Sequence, residues 1–176
     1  MLTQNEREYC VQIAGRIEKL RHFLNARFLA SPEIPSEWYS FLAEFKTIQG
    51  NLNNDISFVA TLLAKSHLQK LFQVSFDAAA KPQGAPGIDI DVQTNDGQRI
   101  VAEIKTTSPY QATDFGAQQA ASFKKDFAKL AAAKAQHKFL FVTEQRAFEA
   151  LRSPKYTCQI SGVRVVLLPE GKERVA

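Results

Sequence analysis

Two alternating runs, residues 88–93 (IDIDVQ) and 99–106 (RIVAEIKT), flank the tripeptide Asn95-Asp96-Gly97. Successive side chains of a strand point to opposite faces, so each run has one apolar and one polar edge. A two-residue turn at Asp96-Gly97 would set Asp89 against Ile104 and mix apolar with polar at every pair. A three-residue loop, Asn95-Asp96-Gly97 with Gly97 in the left-handed conformation, pairs Ile88 with Ile104, Ile90 with Ala102 and Val92 with Ile100. A buried face demands this second register, and the segment is predicted to be an antiparallel hairpin.

The same register fixes the other face. Asp89 falls opposite Glu103, with α-carbons roughly 4.5 to 5.5 Å apart, and Lys105 lies two residues along on the same side. Two carboxylates that close repel one another unless a cation is present. Mg²⁺ takes oxygen from one or two carboxylates and keeps several waters. One such water can be made nucleophilic, with Lys105 orienting it or stabilising charge on a phosphate. Asp91 faces the same side about 6 to 7 Å further along the strand, opposite Val101, and competes with Asp89 as first acid. The bland alternative is a solvated hairpin whose outer face is merely charged.

The pattern Glu-x-Lys alone carries little information, because Glu44-Phe45-Lys46 and Glu170-Gly171-Lys172 repeat it. The first falls on a predicted helix and the second in the tail, and neither has an opposing acidic strand. Pro86-Gly87-Ile88-Asp89 followed by Glu103-Ile104-Lys105 resembles the PD-(D/E)xK nuclease superfamily, which includes most Type II restriction endonucleases. Pro86 stands apart from Asp89, a departure from the motif. The resemblance implies an α/β fold with an αβββαβ core, a mixed sheet flanked by helices, over residues 52–142. It implies Asp89 and Glu103 as metal ligands together with the Ile104 backbone carbonyl, Lys105 as catalytic lysine, and Asp91 as ligand of a second metal. Mg²⁺ is the expected cofactor, with Mn²⁺ as substitute, and DNA the expected substrate. A Type II restriction endonuclease is the leading identity. A branched-DNA resolvase or repair nuclease, and a non-catalytic DNA-binding or assembly module keeping the fold, are the alternatives.

The rest of the chain is judged against that site. At 176 residues it is expected to form a single domain, 1–176, with an N-terminal helical region over 1–50 and a nuclease-like core over 51–170. Residues 3–29 read as an amphipathic helix with Tyr9, Ile13, Ile17, Leu20 and Leu24 as its stripe, a packing face either onto the domain or onto a second copy, and the candidate interface of an expected homodimer. Ser31-Pro32 ends it. A second helix is expected from an Ser36 cap to Gly50, carrying Trp38, Phe41, Leu42 and Phe45 inward. A third follows the cluster Asn53-Asn54-Asp55, with Ile56, Val59, Leu63 and Leu71 buried and His67 packed beside them. Phe72, Val74 and Phe76 alternate and predict a strand.

Beyond the hairpin, Thr113 or Asp114 is expected to cap a helix reaching about residue 136. Gln119 and Phe123 resemble a weakened Gln-x-x-x-Tyr element of the exonuclease branch, which makes Gln119 an accessory candidate. Lys125 and Lys129, one turn apart, are candidates for phosphate contact. Residues 138–142 and 163–168 read as buried strands, with a helix over 144–152 capped by Thr143 and completing a parallel crossover. The charge balance, 22 Lys and Arg against 18 Asp and Glu, permits a polyanionic partner. Two cysteines are too few for a disulfide framework, and no run is long and apolar enough to span a membrane, so a cytoplasmic location is expected.

Overall fold

The computed structural model describes residues 1–27, 33–110 and 114–175. The predicted break at Ser31-Pro32 and the Thr113 cap lie outside the described residues. The chain divides into two compact units, Met1–Asp55 and Ile56–Ala176.

The first unit holds α1 (Gln4–Ala26) and α2 (Pro35–Gln49). The start of α1 is set by reciprocal capping: the Thr3 hydroxyl accepts from the Glu6 N–H at 3.2 Å, and the Glu6 carboxylate accepts from the Thr3 N–H at 2.8 Å. Its inward face follows the predicted stripe only in part, with Tyr9, Ile13 and Leu20 half-buried. Ile17 and Leu24 are exposed, while Phe23 is buried against Phe41 and Phe45 of α2. Burial of that large ring turns the helix, since Phe23 has more apolar area to remove from water than Leu24. Ile34 caps α2 in place of Ser36, with Pro35 in the first turn, where its missing N–H costs nothing. Leu42, expected inside, is exposed. Arg16 pairs with Asp55 at 2.5 Å.

The third helix, α3 (Leu52–Phe72), begins behind Asn51, whose side chain accepts from the Asn54 N–H at 3.2 Å. Its buried face consists of Phe58, Ala60, Ala64 and Leu68, and the predicted stripe is wrong in detail: Ile56, Val59 and Leu71 are exposed. Small alanines allow close approach to a sheet, and a hydrophobicity pattern underweights them. Residues 73–77 form no strand, which corrects the predicted one. Gln73 takes a left-handed φ of 56°, and the following residues pair with nothing in the sheet, although Val74 is buried and Phe76 partly so. The alternation there reports burial without a hydrogen-bonded ladder.

The second unit is an α/β domain built on a five-stranded mixed sheet in the order β1-β2-β3-β4-β5. Its strands are β1 (Ile90–Gln93), β2 (Arg99–Lys105), β3 (His137–Val142), β4 (Arg164–Leu167) and β5 (Lys172–Val175). β1 and β2 form the predicted hairpin, with Ile90 opposite Ala102 and Val92 opposite Ile100 as expected, but the predicted Ile88–Ile104 pair lies beyond the ladder and its two side chains pack into different cores. Gly97 sits at φ 80° in the turn. β2, β3 and β4 run parallel, and β5, which the sequence reading assigned to a tail, returns antiparallel. Among the described residues two strands precede the next helix, not the three of the expected αβββαβ core.

α4 (Ala117–Ala132) starts at Gly116 and is shorter than predicted. The short α5 (Gln145–Ala150) and α6 (Pro154–Thr157) follow, α5 capped by Glu144 in place of Thr143. Each face of the sheet has its own core. Ile100, Ala102, Phe139, Phe141 and Val166 pack with Ala64 and Leu68 of α3, while Val101, Leu140, Val142, Val165 and Leu167 pack with Phe123, Phe127 and Phe148. β2 and β3 are thus covered on both sides. Among the described residues no helix is long and apolar enough to cross a membrane.

The revised face of α3 is directly testable. Leu68→Ala removes a side chain that is 0% exposed and should cost about 2–5 kcal/mol in urea unfolding. Leu71→Ala, three residues on at 47% exposure, should stay within about 0.5 kcal/mol. Equal losses would contradict this packing.

Candidate functional site

β2 alternates faces, and its odd-numbered residues point toward α4. Val101 is core, but Glu103 and Lys105 come next on the same face, where the apolar layer gives way to a cleft of about 490 Å³. Its walls include Ser57 and Thr61 of α3 and the loop around Pro82 and Gly87. Glu103 is only 2% exposed. The sheet's second face is therefore not a solvated surface, and the charge on β2 lies beneath a helix.

Asp89 lies one residue before β1, one step beyond the last ladder pair. Its Oδ2 accepts the Ile104 N–H at 2.9 Å, which holds the carboxylate at the edge of β2. The predicted opposition of Asp89 and Glu103 carries over into the charge balance. Burial, then the carboxylates of Asp89 and Asp126, push the Glu103 carboxyl up to about 8, against a smaller opposing pull from Lys129. Glu103 Oε1 is buried without a hydrogen-bond partner. It stands 3.2 Å from Lys129 Nζ, within ion-pair range but without hydrogen-bond alignment.

Asp126 is the site residue that the sequence reading missed. It projects from α4 between Phe123 and Phe127 and is buried with them. Its carboxylate pairs with Lys105 and accepts from Lys129 at 2.7 Å. Lys105 also donates to Ser122 Oγ at 2.9 Å, with its ammonium 5.4 Å from the centre of the Phe123 ring. A signal was present: Asp126 stands three residues after Phe123 and four before Leu130, a core position where an acid calls for a charged partner.

The cleft gathers Asp89, Glu103, Ile104, Lys105 and Lys129 from the predicted set. It excludes three others. Asp91 is clamped by Arg99 through two hydrogen bonds of 2.8 and 2.6 Å, and that clamp holds its carboxyl below the usual range. The side chain of Gln119 is taken up by backbone, accepting from the N–H groups of Tyr110 and Gly116 and donating to the Ser108 carbonyl. Lys125 is exposed on α4, outside the cleft lining. His67 packs edge-on against Phe139 and Phe141, 3.5 Å from Glu173. Of the two repeated Glu-x-Lys tripeptides, one lies in α2 and the other spans the turn into β5.

Among the described residues no group of three or more His, Cys, Asp or Glu side chains is placed to hold a metal ion together. Comparison with family models, curated proteins and solved structures found no match to this chain.

The raised Glu103 carboxyl predicts a pH dependence of stability. Between about pH 4.5 and 8 the folded chain holds a proton at Glu103 that the unfolded chain has released, so stability falls as pH rises through that window. In metal-free buffer, unfolding free energy should drop from pH 5 to pH 9 by more in the native chain than in Glu103→Gln. The difference should be on the order of 2 kcal/mol or more. Parallel pH profiles for the two proteins would contradict the assignment.

Proposed function

We propose that this chain is a Mg²⁺-dependent DNA endonuclease of the PD-(D/E)xK type, with a Type II restriction enzyme as its biological setting. The observation that carries the reading is Glu103, a buried carboxylate whose Oε1 makes no hydrogen bond, beside Asp89 and Lys105 in an open cleft. A buried acid whose oxygen has an ion pair with Lys129 but no aligned hydrogen bond costs stability, and such groups are kept where function needs them. The donor set suits a hard divalent ion. Mg²⁺ needs only one or two carboxylates besides its waters, so the lack of a three-acid cage is no obstacle.

Asp89 and Glu103 would hold the ion, with the Ile104 carbonyl contributing as the family resemblance implies. A bound Mg²⁺ or Mn²⁺ would supply an activated water and neutralise charge on the scissile phosphate. The remaining work falls to side chains. Lys105, steadied by Asp126 and Ser122, presents its ammonium where charge develops on the phosphate. Lys81, which donates to the Ile88 carbonyl at 2.8 Å, adds positive charge to the cleft wall. Exposed Lys125 is suited to backbone phosphates away from the reacting group. Cutting both strands of a duplex calls for two such centres, which favours a homodimer.

Supercoiled plasmid, linear duplex and four-way junctions incubated with Mg²⁺, followed by mapping of the cut ends, test the reading. Specific double-strand cuts abolished by EDTA are expected. Preference for junctions would redirect it to a resolvase, and salt-dependent binding without any cleavage to a non-catalytic module. Lys105→Ala should lower the cleavage rate by about 10²–10³, whereas Asp91→Ala, which removes only the partner of Arg99, should remain within about tenfold. Full activity in Lys105→Ala would sink the proposal.

A further inference from the structure

The ammonium of Lys129 stands in a shell of oxygen. It donates to Asp126 Oδ1 at 2.7 Å and to the Gly87 carbonyl at 3.1 Å, with Glu103 Oε1 at 3.2 Å. Carboxylates together with a backbone carbonyl are the donors that a hard divalent cation takes. The two lysines of the cleft are held differently. Lys105 is 15% exposed and anchored on Asp126 and Ser122, whereas Lys129 is 37% exposed and reaches inward from the α4 surface on a flexible stem. Lys129 can swing out to solvent while its α-carbon stays in the helix.

We infer that Lys129 is a built-in counter-ion of Glu103, held there by Asp126 and Gly87, and that a divalent ion carried by Asp89 and Glu103 gains Glu103 Oε1 only by displacing it. The inference rests on the metal-dependent reading above and adds a competitor to it. Charge explains why such a device is useful. With Asp89, Glu103 and Asp126 ionised, Lys105 and Lys129 leave the group at −1, and departure of Lys129 leaves it at −2. Once Glu103 ionises, the folded chain without metal is thereby spared much of the repulsion between three neighbouring carboxylates. A tethered ammonium is always at high local concentration, so it competes with free Mg²⁺ at every encounter.

The test reads metal binding and needs no cleavage. The melting temperature of the native chain, Lys129→Met and Lys124→Met is measured against Mg²⁺ concentration at pH 9, above the value of about 8 to which Glu103 is raised. Lys124→Met removes the same charge from an exposed position of the same helix outside the cleft. The midpoint of Mg²⁺ stabilisation should fall about tenfold in Lys129→Met and stay unchanged in Lys124→Met. If Lys129→Met does not fold, Lys129→Gln, which keeps a donor for the Gly87 carbonyl, should show the same fall. An unchanged or raised midpoint, or an equal shift in both methionine variants, would overturn the inference while leaving the nuclease reading intact. Absence of any Mg²⁺ stabilisation in all of these proteins would overturn both.

Discussion

The second unit is arranged around a carboxylate that has been taken out of water. Glu103 lies on a strand with helices over both faces, and its charge is opposed by Asp89 at the strand edge and Asp126 on the helix above. An acid in that position is tolerated only if it stays protonated or finds compensating cations. Below about pH 8 Glu103 keeps its proton, and Lys129 stands beside it as a cation while Lys105 and Lys129 both pair with Asp126. The resulting polar group interrupts the apolar layer between α4 and the sheet, and the cleft opens at that interruption.

The division of labour along β2 follows from strand geometry. Ile100 and Ala102 on one face, with Val101 on the other, lock the strand into both cores. Rigidity conferred by that double packing is passed to Glu103 and Lys105, the last residues of the strand, where a loosely held site would lose precision. Asp89 is fixed by a different means, a hydrogen bond from the Ile104 backbone, and so owes its place to the hairpin register and not to packing. α4 contributes from the opposite side, its aromatic residues Phe123 and Phe127 seating the helix and Asp126 between them reaching the lysines.

Legibility differed from element to element for physical reasons. The hairpin was readable because strand alternation has a period of two, and a slip of one residue would have exposed Ile90, Val92 and Ile100 together. Helices α1 and α3 were located, but their buried faces were read only in part. Their sequences offer more apolar residues than one face can bury, and the choice among them was made by Phe23 packing on Phe41 and by the small residues of α3. Residues 73–77 show the complementary failure, since alternating burial survived without a neighbouring strand to pair with. Gln119 and Asp91 were chemically reasonable candidates that local partners, the backbone around Gly116 and the guanidinium of Arg99, had already claimed.

By itself the amino-acid order determined the hairpin, its loop and the approach of Asp89 to Glu103, because those depend on periodicity and turn chemistry within some twenty residues. Only the tertiary structure decided that α4 would close over that face, bury Glu103 and bring in Asp126 with Lys129. Those groups are separated by more than twenty residues of chain from Glu103, and a contact across such a separation is set by how helix and sheet pack, which no local pattern encodes.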